Sequence, residues 1–423
     1  MGTLAIQAPS DCVHEYNVGD RASVLVVAQQ LRHACPTSRI LLLGMNASAP
    51  FATFPPAYRI EHAARLPATP VGAVIISATD VMDGRYTRSN RFAALTAEVL
   101  RRGVPLSVVS FSYDRITPSG PRRSLDLAAA FPPSVCLRPR SAPSCAVVRE
   151  ATRSHEEAGA TACAGRPTRA HVRASMDMVF LLDPAAHLTA LKGDAAWVEA
   201  RRDEGRALVG ANLFFYSLPP NTTFVALAPR LAADLCDAAG KGRPLAYLFV
   251  PHEFRPHRLQ SCYRCHDGFA DEGAYLRNIS ELMAARCAGV PTRVLHGGHA
   301  YEPTESRAVL ALLDGVVSGL MHFLIISAAA GTPGLALASQ PKFAELQGTL
   351  YSEELQADVL TRDFARPGEL ARAVVRFVAS MGRARVALAA ALPRVRERSR
   401  RNFDMLQSGA PCTAACRPCA DAD

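Results

Sequence analysis

Residues 314–342 read DGVVSGLMHFLIISAAAGTPGLALASQPK. After Asp314 comes a short apolar run, Val316-Val317, that ends at Ser318-Gly319. An apolar stretch of helix length follows, carries one histidine, His322, and stops at Gly331-Thr332-Pro333. A second apolar run then leads to Pro341-Lys342. Short apolar runs bounded by turn residues read as buried strands, and the longer stretch between them as a helix. The segment is therefore a strand-helix-strand unit with its polar groups confined to the turns. Such units build parallel sheets, whose ligands bind beyond the carboxyl ends of the strands. His322 and Lys342 both follow such ends. Positions 315–340 contain no Asp, Glu, Lys or Arg and are long enough to suggest a membrane span. His322 and the Gly-Thr-Pro break argue against one, and the strand-helix alternation accounts for the apolarity. No membrane span is expected.

Outward from this segment the alternation continues in both directions. TLAIQAP, RILLLGM, GAVIISATD, VPLSVVSFS and SVCLRPR read as strands in the first part. Helices read between them: RASVLVVAQQLRHA with Asp20 as N-cap, RSNRFAALTAEVLRRG stopped at Gly103, SLDLAAAF, and PSCAVVREAT after the last strand. Positions 153–170 are polar and Gly-containing and read as a surface loop. A second series begins at ALVGANLFFYSL and runs through PLAYLFVPH and PTRVLHG, with ADVL as a last short strand. The end carries a helix PGELARAVVRFVASM and a further long helix kinked at Pro393. Two consecutive α/β series imply two doubly wound parallel sheets. The expected division is 1–185 for the first domain, 186–205 for a charged connector, 206–385 for the second domain, 386–408 for a C-terminal helix and 409–423 for a Cys-containing tail.

Composition agrees with a folded protein of more than one core. The chain has 423 residues, 49% of them hydrophobic and 20% charged. Its net charge of +9 comes mostly from scattered arginines such as Arg101-Arg102 and Arg201-Arg202. Scattered cations suit an anionic small molecule or a glycan better than duplex DNA, so no nucleic-acid partner is expected. A compositional preference for arginine explains the charge equally well. The N-terminus shows no basic region followed by a long apolar stretch, so a cytoplasmic protein is expected. On that footing the twelve cysteines are expected to be reduced thiols. Cys262-x-x-Cys265-His266 spells a haem-attachment pattern, and Cys412, Cys416 and Cys419 stand in the tail. Cys262-x-x-Cys265 is half of a zinc-site spacing that the tail cysteines could complete, but thiols without a metal are the simpler account, and no metal is expected.

Several strand ends carry polar residues. Asn17-Val18-Gly19-Asp20 lies between a strand and a helix, where backbone N–H groups and the helix dipole favour an anion. By spacing alone it is an ordinary capped turn. Asp80 and Asp83 follow the strand GAVIISATD and suit either sugar hydroxyls or a helix cap. Arg138 and Arg140 follow SVCL, and a guanidinium fork binds two oxygens of a phosphate or carboxylate at once. His252, Glu253 and Arg255 cluster after LAYLFV. His322 on an apolar helix reads as a packed core residue until its strand-end position is considered. A histidine gives and takes protons near neutral pH, with an ordinary pKa of about 6.5.

In this order the residues resemble the polysaccharide pyruvyl transferase family. The family's C-terminal signature is an aspartate, an apolar strand ending in serine, Arg-x-His, a small apolar helix, Gly-x-Pro, an apolar strand and a lysine. Here it reads Asp314, Val316-Val317-Ser318, Leu320-Met321-His322, Gly331-Thr332-Pro333 and Lys342, with Leu320 in place of the arginine. The family's Asn-x-Gly-Asp, Arg-Asp-x-x-Ser and Pro-His-(Asp/Glu) pieces resemble Asn17–Asp20, Arg140–Ser144 and Pro251–Glu253. The resemblance implies an α/β protein of two Rossmann-like domains with parallel sheets facing across a cleft, a GT-B-like arrangement. It also implies a transferase that moves a pyruvyl group from phosphoenolpyruvate to sugar hydroxyls as a ketal. The donor is a substrate, no cofactor is needed, and the acceptor is a glycan or lipid-linked sugar. His322 would transfer the proton and Arg140 would face the donor. Arg255 and Lys342 would supply further cations, and Asn17, Gly19, Asp20, Asp80, Asp83, His252 and Glu253 would line the substrate site. Leu320 removes one cation from this set. Two alternatives follow: a glycosyltransferase-like enzyme using a nucleotide-sugar, and a non-catalytic glycan-binding relative.

Overall fold

The computed structural model describes residues 2–7, 17–43, 54, 56–77, 98–99, 101–111, 135–139, 171–172, 175–183, 192–215, 218, 222–252, 269, 271–295, 301–338, 340 and 342–407. The chain divides into two compact units. One comprises Met1–His14, Asp20–Leu181 and Arg396–Asp423; the other comprises Glu15–Gly19 and Leu182–Val395.

Among the described residues the first unit has seven parallel strands: β1 Thr3–Gln7, β2 Arg39–Leu43, β3 Ile60–Ala63, β4 Ala73–Ser77, β5 Leu106–Phe111, β6 Val135–Pro139 and β7 His171–Val172. Their spatial order is β3-β2-β1-β4-β5-β6-β7. Leu4–Ile6, Ile40–Leu43 and Val74–Ile76 are buried, as strands covered on both faces must be. The helix Val18–Ala34 joins β1 to β2 and buries Val24, Leu25, Val26, Val27 and Leu31. It starts two residues before the expected N-cap, so Asp20 lies in its first turn, where its charge opposes the positive end of the dipole. β3 was not expected. Its sequence, IEHA, is half-exposed and lacks an apolar run, and Arg39 of β2 pairs with its Glu61 at 2.6 Å.

The chain returns to this unit at Arg396. Asn402 is fully buried there and uses its whole amide. Its Oδ1 accepts from the Ser110 N–H (3.0 Å) and the Ser175 hydroxyl (2.9 Å), and its Nδ2 donates to the carbonyls of Met176 (2.7 Å) and Ser399 (2.9 Å). Ser110 holds a φ of +57°, a conformation that costs a non-glycine residue on the order of 1–3 kcal/mol. The Asn402 bond and the Met178 N–H donated to Ser110 Oγ (3.1 Å) hold it there.

Among the described residues the second unit has six parallel strands: β8 Ala207–Asn212, β9 Leu245–Phe249, β10 Thr292–Val294, β11 Gly315–Ser318, β12 Gly334–Leu337 and β13 Leu360–Thr361. Their order is β10-β9-β8-β11-β12-β13. The 314–342 segment folds as its pattern predicts: β11, the helix Met321–Ala329, a turn through Gly331 at φ +83°, β12, then a helix starting at Lys342. Asp314 has a structural task, since its carboxylate accepts the Leu208 N–H at 2.9 Å and pins the start of β11 to β8. ADVL is a correction: residues Gln356–Val359 are helical and the strand is the next pair, Leu360–Thr361. The two expected C-terminal helices are one, Glu369–Arg400, with Pro393 inside it. It begins in the second unit and ends in the first.

Cys236 and Cys287 form a disulfide with a Cα–Cα distance of 5.8 Å, which corrects the expectation of free thiols. It links the last turn of the helix Phe224–Ala239 to the C-cap of the helix Glu272–Arg286. Positions 236 and 287 stand 51 residues apart, so nothing local in the sequence pairs them. Among the described residues no helix is long and apolar enough to cross a membrane.

Candidate functional site

In the second sheet the strand order reverses direction between β8 and β11, the point at which open α/β sheets leave room for a ligand at their carboxyl ends. β8 ends there in Asn212, β9 runs into His252, and β11 runs through Gly319 into His322.

Asn212 is fully buried, and its side-chain Oδ1 accepts the Phe214 N–H at 3.3 Å. Its Nδ2 donates to the Val250 carbonyl (2.8 Å) and to Glu272 Oε1 (2.5 Å), and its main-chain carbonyl accepts the Gly319 N–H (3.2 Å). The same Glu272 oxygen accepts the His252 N–H at 2.9 Å. The His252 carbonyl in turn accepts the N–H of Val18 at 3.1 Å. The Asn17–Gly19 turn is gathered into this unit through that bond.

Gly19 lies against His322. A Cβ built on Gly19 would stand 2.2 Å from the imidazole Nδ1 and 2.5 Å from the His322 Cβ, so only glycine fits. His322 is the second residue of its helix, where backbone N–H groups and the helix dipole favour negative charge. Leu320, two residues earlier, is 1% exposed, and its N–H is taken by the Ser318 hydroxyl at 2.9 Å. Position 320 is therefore a buried apolar side chain two residues before His322.

His252 is 2% exposed and packs edge-on against the Phe323 ring at 6.0 Å. Its Nε2 is buried and meets no hydrogen-bonding partner among the described residues. Burial, and then the charge of the nearby His322, hold its imidazole far below the ordinary value, at about 3. His252 is therefore neutral at physiological pH.

That shift has a stability consequence. An unfolded chain protonates this histidine near pH 6.5, whereas the folded protein does so only near 3. Between those values the unfolded state binds more protons, so stability falls as pH drops, by up to about 1.4 kcal/mol per pH unit. His252→Phe is expected to flatten this part of the curve. Urea midpoints at pH 6.5, 5.5 and 4.5 measure it, and an unchanged slope in the variant assigns the acid sensitivity elsewhere.

Of the residues expected from sequence, Asn17, Gly19, His252 and His322 come together. Asp20 belongs to the first unit. Lys342 is half-exposed and opens the helix after β12, the strand beside β11. Asp80, Asp83, Arg140, Glu253 and Arg255 lie outside the described residues, as do Cys262, Cys265 and the tail cysteines. Sequence reasoning missed Asn212 and Glu272. The first lies in the middle of the run ALVGANLFFYSL, and the second falls just before the apolar-periodic stretch GAYLRNISELMAARC, where no motif marks it.

No protein-family model matches the chain, and no curated protein matches it. Solved structures do. UDP-GlcNAc 2-epimerase from Neisseria meningitidis, bound to UDP-GlcNAc, is 8% identical with a TM-score of 0.54 over 96% of this chain and 100% of its own. A UGT transferase from Siraitia grosvenorii in complex with UDP is 11% identical, with a TM-score of 0.54 and the same coverage of both chains. The UDP-forming α,α-trehalose-phosphate synthase from Burkholderia vietnamiensis is 13% identical, with a TM-score of 0.50 and 98% of each chain covered. Together with the two parallel sheets, this likeness makes the fold GT-B-like, with two Rossmann-like domains.

Proposed function

We propose that the chain is a transferase that moves a sugar from a nucleotide-sugar donor to a glycan acceptor, with the donor at the carboxyl ends of β8, β9 and β11. The observation that carries this reading is the buried Leu320 beside His322. Pyruvyl transfer needs cations for the carboxylate and phosphate of phosphoenolpyruvate, and an apolar residue occupies the position expected to supply one. A nucleotide-sugar asks less of that position. The helix beginning at Met321 provides N–H groups for a diphosphate, and the histidines provide polar atoms for a sugar. The likeness to proteins solved with UDP and UDP-GlcNAc agrees with this choice of donor.

In such a transfer the bond between the anomeric carbon and the diphosphate breaks, and the acceptor oxygen takes its place. The acceptor's proton must leave. His322 is the group assigned to take it, because it lies at a helix start just beyond the end of β11. His252, neutral and buried, is assigned to orient the sugar. The departing diphosphate gathers negative charge, and preorganised donors at a helix N-terminus stabilise it without rearrangement.

Pyruvyl transfer to sugar hydroxyls stands as the second reading, favoured by the ordered match of Asp314, His322, Gly331-Thr332-Pro333 and Lys342. One experiment separates the two. The protein is incubated with a panel of UDP-sugars and, separately, with phosphoenolpyruvate, each with galactoside and mannoside acceptors. Acceptor-dependent UDP release without phosphate release is expected. Phosphate release with ketal formation, and no UDP release, would overturn the proposal in favour of pyruvyl transfer.

A further inference from the structure

We infer that Glu272 and Asn212 are positioning residues that set the two histidines of the site against the Asn17–Gly19 turn. This rests on the reading of His252 and His322 as the place of transfer.

The geometry converges on one carboxylate. Glu272 is the first residue of the helix Glu272–Arg286, is 1% exposed, and lies 60 residues from Asn212 in sequence. A buried carboxylate is costly unless its oxygens are satisfied. Here Oε1 takes two donors, Asn212 Nδ2 at 2.5 Å and the His252 N–H at 2.9 Å, and the helix dipole favours its charge. The Asn212 side chain in turn ties the end of β8 to the Val250 carbonyl beyond β9, while its main-chain carbonyl, whatever the side chain, takes the Gly319 N–H beyond β11. The chain of contacts then runs outward. Glu272 fixes the His252 backbone, the His252 carbonyl holds the Val18 N–H, and Gly19, next in sequence, closes on His322. Each link is a directed hydrogen bond or a contact too tight for a Cβ. A displacement at Glu272 therefore moves both histidines relative to each other. Neither Glu272 nor Asn212 is placed on the reacting atoms.

The test compares Glu272→Ala, which has no acceptor, with Glu272→Gln, which keeps one. Amide hydrogen exchange is followed at Val18 and His252, and turnover with the UDP-sugar panel is measured alongside. In Glu272→Ala, exchange at both amides is expected to rise at least 10-fold and kcat to fall at least 10-fold, with KM changed less. Glu272→Gln is expected to restore most of both. Asn212→Ala removes one of the two donors and is expected to loosen the same two amides, which keeps the test decisive if Glu272→Ala does not fold. Unchanged exchange at Val18 and His252 in a folded variant overturns the inference. If the wild-type protein turns over no UDP-sugar, the transfer reading fails, and the exchange result alone still decides the positioning.

Discussion

Replacing Gly19 by alanine is expected to cost activity about as heavily as removing His322, on the order of 10²–10⁴-fold if His322 is the proton acceptor. The added methyl would enter the space already held by the imidazole, whose Nδ1, Cγ and Cβ all stand within 2.5 Å of the new carbon. Neither side can yield easily. Gly19 sits in the first turn of the helix Val18–Ala34, and the residue before it is tied to the His252 carbonyl. Overpacking of this kind costs roughly 1–3 kcal/mol of stability. The cause can be isolated with a double-mutant cycle. His322→Gly deletes all three clashing atoms, so Gly19→Ala in that background is expected to cost under about 0.5 kcal/mol. Urea unfolding of the four proteins and their turnover rates supply the cycle. A Gly19→Ala penalty that is the same in both backgrounds would show that the glycine serves the helix turn and not the histidine.

Breaking the Cys236–Cys287 bond is expected to produce the largest single loss of stability in the second unit. A crosslink that closes a loop of this length removes about 4 kcal/mol of chain entropy from the unfolded state. The loop contains β9, His252 and Glu272, so the bridge closes around a large part of the site's framework. Cys236→Ser, Cys287→Ser and treatment with a reductant should each lower the urea midpoint by the same amount. The double variant should lose no more than either single one, because the bond is shared. Peptide mapping without reductant checks that the bond is present at the start. Equal midpoints with and without reductant, in protein shown to be oxidised, would mean that the unfolded chain is already constrained between these helices.

The alternation of strand and helix was legible wherever burial was uniform. GVVS, GLAL and LAYLF are buried on every residue, so each appears as an unbroken apolar run between turns. Elements that are half-exposed were not legible. IEHA carries Glu61 and His62 on an edge strand, and its membership in the sheet depends on pairing with β2. ADVL was misread because a single helical turn and a two-residue strand adjoin there, and neither is long enough to show a period. The site followed the same division. His252 and His322 stood out because each follows a strand end. Asn212 and Glu272 did not, because only the fold brings them into contact.

From the sequence by itself, the two-sheet α/β architecture, the buried character of the 314–342 unit and the candidacy of His322 could be determined. All three rest on local order: apolar period, turn residues and position at a strand's end. The tertiary structure alone decided which residues meet. It placed Gly19 against His322, Glu272 between Asn212 and His252, Asn402 under Ser110, and Cys236 beside Cys287. It also buried Leu320 and left His252 neutral. Such pairings join positions tens to hundreds of residues apart. They arise from how sheet order and helix packing bring strand ends together, and no local pattern in the chain records them.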